Sequence, residues 1–376
     1  MAIAQQYKDY FEFIRYALTP NRLSISDIKV VDWRRLYNFA NEQTISGVVF
    51  DGVKRLGGQG IKPSFDILMQ WVATTEQIEG QNRRLNKRCV EVVNEYRNAG
   101  FQCCILKGQG NATMYTNPFC RMPGDIDLWI FGPADRAEKA EIIKYVRANH
   151  PEKMEVRYYH VGYEDNGVEV EVHFMPNIMN NPLYHHRLQK WYHKMADGGR
   201  LKDEVELPEG AGVIPVPTTE FNIVFQLAHM MHHFFDEGIG LRQFVDYYFV
   251  LMAADFTDFT DYADNKGIGD TLRYLGLWKF AGAAMYVMRE VFQLDEKYMI
   301  APVDERRGKT LMAEILKGGN FGQSDVRWKK AEGRWFTGKK YFLKHWRNLH
   351  FVREYPAEAL CEPIFRTWHW FWRKFH

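Results

Sequence analysis

The residues best suited to chemistry in this chain are Asp125 and Asp127, in the stretch Gly-Asp-Ile-Asp-Leu, the one D-x-D of the sequence. On a strand, positions i and i+2 point to the same face, so both carboxylates would project together with Ile126 and Leu128 behind them. Two like charges this close are costly unless a cation neutralises them. A hard divalent ion, Mg²⁺ or alternatively Mn²⁺, prefers oxygen ligands and bridges substrate phosphates. Such an ion serves phosphoryl or nucleotidyl transfer, by neutralising developing charge and acidifying an attacking hydroxyl. A third carboxylate should come from a neighbouring strand. Alternation along Val168–Phe174 puts Glu169, Glu171 and His173 on one face. Glu171 is preferred as metal ligand or general base, with Glu169 the second choice. An exposed strand face with ordinary charges is the bland alternative. The position after Pro123-Gly124, within an apolar strand, argues against it.

A second candidate feature lies upstream, in Ile105-Leu106-Lys107-Gly108-Gln109-Gly110-Asn111. A strand followed by small residues and a helix lets backbone N–H groups approach a phosphate, and Lys107 adds a point charge. Lys107, Gly108 and Gly110 are therefore candidate phosphate ligands, although neither a Walker A nor a G-x-G-x-x-G pattern is present. Arg121 precedes the D-x-D by four residues and is expected to touch the triphosphate rather than pair with the carboxylates. His173 suits either a proton shuttle or a packed strand end. His229, His232 and His233 share a broad helix face; no further ligand accompanies them, so structural or substrate-facing roles outweigh zinc. Arg242 and Asp246 stand i,i+4, the spacing of an intrahelical ion pair. A bolder reading makes them, with His233, a polar network lining the cleft.

These residues need elements to hold them. Residues 3–18 read as an amphipathic helix ended by Thr19-Pro20, and Asp32 caps a second helix to about Glu42. A third ends at Gly57-Gly58, and a long helical pattern runs from Phe65 to Ala99. Strands are expected at Phe101–Leu106 and Asp125–Phe131, with a helix over 134–149. A hairpin is expected of 154–163 and 168–174, turning at Glu164–Gly167. From residue 180 onward the pattern is helical, with Thr218 capping a helix to Phe235 and another at Leu241–Met252. The fold class is α+β: a helical region 1–99, a small mixed-sheet α/β core 100–178, and a larger helical region 179–376.

Composition bounds the rest. The 376 residues are 46% hydrophobic and 26% charged, ordinary for a globular chain, and the net charge of +2 points to no polyanionic partner. The five cysteines form no C-x-x-C, the start has no signal-peptide pattern, and no apolar run approaches a membrane span. A cytoplasmic location without stable membrane insertion is expected. Arg327–Arg353 is basic and aromatic, and the tail from 366 is rich in tryptophan. An amphipathic helix packing its aromatics on the core is favoured there over RNA or membrane binding.

The order strand, small-residue turn, helix, D-x-D strand and lone acid on a third strand resembles the polymerase-β-like nucleotidyltransferase superfamily. Leu106-Lys107-Gly108, Arg121-Met122-Pro123-Gly124-Asp125-Ile126-Asp127-Leu128 and Glu171-Val172-His173-Phe174 look like its bacterial branch of uncharacterised nucleotidyltransferases. Leu227–Phe235, Gly238–Arg242 and Asp246 extend the likeness, which is good from about 100 to 250. The resemblance implies metal-dependent transfer of a nucleoside monophosphate from an NTP to a hydroxyl or phosphate, with Asp125, Asp127 and Glu171 as ligands or base. The superfamily turn is commonly Gly-Ser or Gly-Gly; here Lys107 and backbone amides would serve instead. The acceptor stays open between a small molecule, an RNA and a protein, as does the oligomeric state. A nucleotide-binding regulatory relative without activity, and a toxin-like enzyme acting on tRNA or protein, are the alternatives.

Overall fold

The computed structural model describes residues 4–19, 32–131, 139–197, 203–254, 266–322 and 336–375. Helices α1 (Gln5–Leu18), α2 (Trp33–Glu42) and α3 (Ser46–Gly57) precede α4 (Phe65–Asn98). Asp32 caps α2 as expected, its carboxylate accepting the Arg35 N–H at 3.1 Å. The 34 residues of α4 make a rod about 50 Å long. Its first half buries Ile67 and Trp71 in the larger core, with α1–α3. Its second half buries Leu85, Cys89, Val92, Val93 and Tyr96 in a second core behind the sheet.

That sheet has five strands in the order β1-β2-β5-β4-β3, from β1 (Gln102–Leu106), β2 (Ile126–Phe131), β3 (Glu155–Val156), β4 (His160–Asp165) and β5 (Val168–His173). β2 and β5 are parallel and the other pairs antiparallel, so the sheet is mixed. Alternation sorts the strands cleanly. Ile105, Ile126, Leu128, Val170 and Val172 face the second core with α4 and α6 (Lys139–Asn149), whereas Cys104, Leu106 and Trp129 face the larger one. Asp127, Glu171 and His173 share the face of Trp129, the front of the sheet. Short α5 (Gly108–Ala112) joins β1 to the D-x-D approach. The beginning of the helix expected over 134–149 lies outside the described residues.

Beyond α7 (Pro182–Asp197) the chain departs from the expected all-helical pattern. A hairpin, β6 (Asp203–Leu207) and β7 (Gly212–Val216), packs beside α4 and β1 and adds Val205, Leu207, Ile214 and Val216 to the second core. Asp203, Glu204 and Glu206 make β6 look like surface, and Pro215 looks like a breaker, yet an edge strand tolerates both.

The larger core is then closed by α8 (Thr219–Asp236), α9 (Leu241–Ala253), α10 (Lys266–Tyr274), α11 (Trp278–Val287) and α12 (Glu305–Gly318), followed by α13 (Phe336–Leu349) and α14 (Pro356–Phe375). Thr218 caps α8 through its hydroxyl, which accepts from Phe221 N–H. Most of the basic aromatic stretch before α13 lies outside the described residues. Within the described part of that stretch Trp346 is exposed, and so are Trp368, Trp370 and Phe371 at the end of α14. Among the described residues no helix is long and apolar enough to cross a membrane.

Candidate active site

The carboxylates meet at the front of the sheet because of strand register. Parallel pairing sets Asp127 directly beside Glu171, not Glu169. Asp125, just before β2, joins them, and each of the three offers an oxygen within 4.8 Å of the others. They open on a cavity of about 750 Å³ between the sheet and α8, α9 and α4. Asparagine 82, midway along α4, holds the entrance to this strand by donating to the carbonyls of Phe119 and Arg121 at 2.8 and 2.7 Å.

Two cations sit among the acids. Lys107 Nζ is 3.0 Å from Asp127 Oδ2, and His173 Nε2 is 3.0 Å from Asp127 Oδ1 and 3.4 Å from Glu171 Oε2. Burial pushes the Asp127 carboxyl up, but Lys107 and His173 overcome this and hold it well below the usual carboxylate range. Glu171 moves the other way: burial raises it, and Asp125 and Asp127 add to the rise against the His173 hydrogen bond. Burial disfavours charged His173, yet its bonds to Asp127 and Glu171 lift it to about 9. Lys107 is likewise raised, since Asp127, Asp125 and Glu171 outweigh burial. Two carboxyls driven apart in this way suit different tasks, one permanently ionised and one ready to carry a proton.

Lys107 itself is held in an unusual backbone conformation, φ 46° and ψ −138°, followed by Gly108 at φ 53°. A non-glycine residue there stores strain of about 1–3 kcal/mol, the kind that functional sites retain. The ammonium can only donate, so His229 Nε2, 3.1 Å away, accepts from it. His233 Nε2 lies 2.9 Å from the same nitrogen and is therefore the protonated one. His229 was not singled out by sequence spacing alone as a partner of Lys107, which is 122 residues away.

Three expectations are corrected by geometry. Arg121 does not face the cavity: it makes a buried two-pronged ion pair with Asp246, Nε to Oδ1 at 2.8 Å and Nη2 to Oδ2 at 2.7 Å, and Tyr115 O–H donates to the same carboxylate. Both Asp246 oxygens bond Arg121, and the charge of its helix neighbour Arg242 adds to the hold on the carboxylate. The arginines that line the cavity are Arg84, Arg157 and Arg242, the last with its Nη1 3.4 Å from where a Gly124 Cβ would stand. Gly110 also turns elsewhere. A Cβ there would come within 2.8 Å of Val216 Cγ1, so β7 leaves no room for a serine at this position. Gly108 lies by the Asp125 carbonyl, and neither glycine lines the cavity. The polar residues between them are anchors: Gln109 donates to Asn86, and Asn111 exchanges two amide hydrogen bonds with Gln226, at 3.1 and 3.0 Å.

An aspartate pair on one strand with an acid on the adjoining parallel strand, beside a strand–turn–helix unit, is a nucleotidyltransferase arrangement. The chain matches the family model of uncharacterised nucleotidyltransferases over residues 29–293 and belongs to that family. An antigenic nucleotidyltransferase-like protein from Paracoccidioides brasiliensis is similar in structure, with a TM-score of 0.36 and 11% identity, over 61% of this chain and 94% of that one. No curated protein shows significant similarity to the chain.

Proposed function

We propose that the protein is a metal-dependent nucleotidyltransferase that moves a nucleoside monophosphate from an NTP to an acceptor hydroxyl or phosphate. Asp125, Asp127 and Glu171 are the ligands of Mg²⁺ or Mn²⁺. The observation that carries the reading is the pairing of Asp127 with Glu171 across β2 and β5, with Asp125 adjoining and the trio facing one cavity. An all-oxygen donor set suits a hard cation. Such an ion, when bound, neutralises phosphate charge and holds the reacting oxygens in place.

The chain's own groups supply the rest. Lys107, fixed by Asp127 and His229, presents its ammonium to the triphosphate, the task given elsewhere to a turn serine. Arg242, with its guanidinium by Gly124, adds a further cation to the lining. The Glu171 oxygen not held by the ion would take the acceptor's proton as the acceptor oxygen bonds to the α-phosphorus. The bond from that phosphorus to the bridging oxygen breaks, and pyrophosphate leaves.

The test is pyrophosphate release from each NTP with Mg²⁺ or Mn²⁺ and cell extract. Asp127→Asn should lower it by roughly 10³-fold or more; equal release from both proteins refutes the reading. A second reading, nucleotide binding without turnover, is favoured by one observation: Lys107 already occupies an oxygen of Asp127. It predicts calorimetric NTP binding with no pyrophosphate from the wild-type protein.

A further inference from the structure

The front of the sheet carries one more ligand-type side chain, His160, that the transfer chemistry leaves unused. β4 pairs with β5 so that His160 lies opposite His173, and Gly162 opposite Glu171. His160 Nε2 is 3.5 Å from Glu171 Oε1, and His173 Nε2 is 3.4 Å from Glu171 Oε2. All three offer an atom within 4.8 Å of one another. Ligands on a tetrahedral zinc ion stand roughly 3.3–3.6 Å apart, given the usual bond lengths. Both imidazoles are almost wholly buried, 2% and 3% exposed, and neither Nδ1 has a hydrogen-bond partner among the described residues. Buried polar groups are normally paired. From that buried position His160 aims Nε2 at the Glu171 carboxylate, the direction a ligand takes.

The cluster also has a way in. Opposite Glu171 stands a glycine, and a Cβ on Gly162 would meet nothing closer than 3.9 Å. A separate cavity of about 400 Å³ opens there, lined by His160, Gly162 and Glu171 among others. Glu171 lines both this cavity and the larger one.

We propose that His160, Glu171 and His173 form a second divalent-cation site, for a borderline ion such as Zn²⁺, sharing Glu171 with the carboxylate trio; the ion takes the place of the proton that His173 Nε2 otherwise directs at Asp127, and that proton is released to solvent. Two imidazole nitrogens and one carboxylate favour zinc over magnesium. The inference rests on the nucleotidyltransferase reading only through that shared glutamate.

The experiment uses the full chain, stripped with chelator and free of nucleotide. Titration with Co²⁺ is followed by visible d–d absorption, whose intensity reports four-coordinate geometry, and Zn²⁺ is then added as competitor. The wild-type protein should give a saturable tetrahedral spectrum that Zn²⁺ abolishes. His160→Gln should weaken cobalt binding by roughly a hundredfold or more, since even outer-shell changes cost 10–100-fold. Asp125→Asn should leave it unchanged. Equal cobalt affinity in His160→Gln, or loss of the spectrum in Asp125→Asn alone, overturns the proposal. Should His160→Gln fail to fold, the histidine ring nitrogen resonances of the wild-type protein decide: two rings should shift with Zn²⁺, and unmoved rings overturn the site. No turnover is read, so failure here leaves the pyrophosphate test standing, and the reverse also holds.

Discussion

Replacing Arg121 with methionine separates a structural arginine from one that grips phosphate. The guanidinium and the Asp246 carboxylate are 4% and 8% exposed and joined by two short charge-assisted bonds. The attraction outweighs burial for both partners, since Arg121 is raised and Asp246 lowered despite desolvation. Arg121→Met keeps most of the side-chain volume but leaves Asp246 buried with only Tyr115 donating among the bonds described above. Breaking a buried pair from one side costs about 3–5 kcal/mol. Urea denaturation should show that loss as a lower midpoint at unchanged slope. The double variant Arg121→Met/Asp246→Leu should recover much of it, because removing both charges removes the stranded one. Acid dependence gives a second check. Asp246 has a depressed folded-state pKa, so its contribution is present above the ordinary carboxylate range and is lost as pH falls; Arg121→Met should flatten that acid limb. The NTP KM should change little. A variant as stable as the wild-type protein but with a tenfold higher KM would show that Arg121 reaches the triphosphate, and the reasoning would be wrong.

Other outcomes follow from single contacts. Gly110→Ser should destabilise the protein by about 1–3 kcal/mol in thermal or urea melts, through the clash with Val216 Cγ1, and Gly110→Ser/Val216→Ala should recover most of it. If the single variant is neutral, β7 does not bar a serine from the turn. Glu358 accepts the N–H groups of Asn180 and Asn181, at 2.8 and 3.2 Å, yet burial raises it to about 7. A raised carboxyl holds its proton longer in the folded state, so stability is greatest below its ordinary pKa of 4.5 and falls as pH rises through about 7. The fall is worth up to about 3 kcal/mol, and Glu358→Gln should remove it in denaturation curves taken across that range. An unchanged slope in the variant would assign the pH dependence elsewhere.

The strands around the carboxylates were legible because alternation is local. Ile126, Leu128, Val170 and Val172 fill one side and leave Asp127, Glu171 and His173 on the other, and the same pattern is readable in the sequence. What it could not supply was register between distant strands. His160 becomes interesting only when it is seen opposite His173. Arg121 misled for the same reason: four residues from the D-x-D, it faces a partner 125 residues away. Lys107 stood out by its place in the turn, whereas the His229 contact that fixes it depends on how α8 crosses the sheet. The β6–β7 hairpin escaped because its acidic residues and Pro215 imitate a loop, while its inward residues Val205, Leu207, Ile214 and Val216 are too few to set a period.

The length of α4 has a consequence for the carboxylates. This one helix is a wall of both cores, and Asn82 at its middle clamps the two carbonyls that lead into the D-x-D strand. A slip of α4 along its axis would drag that strand entrance with it. Seating α1–α3 against the first half of the rod therefore sets the alignment of acids several turns further along. The amino-terminal helices thus bear on the carboxylates through a rigid rod, and loosening them is expected to disturb the trio without touching a single residue in the cavity.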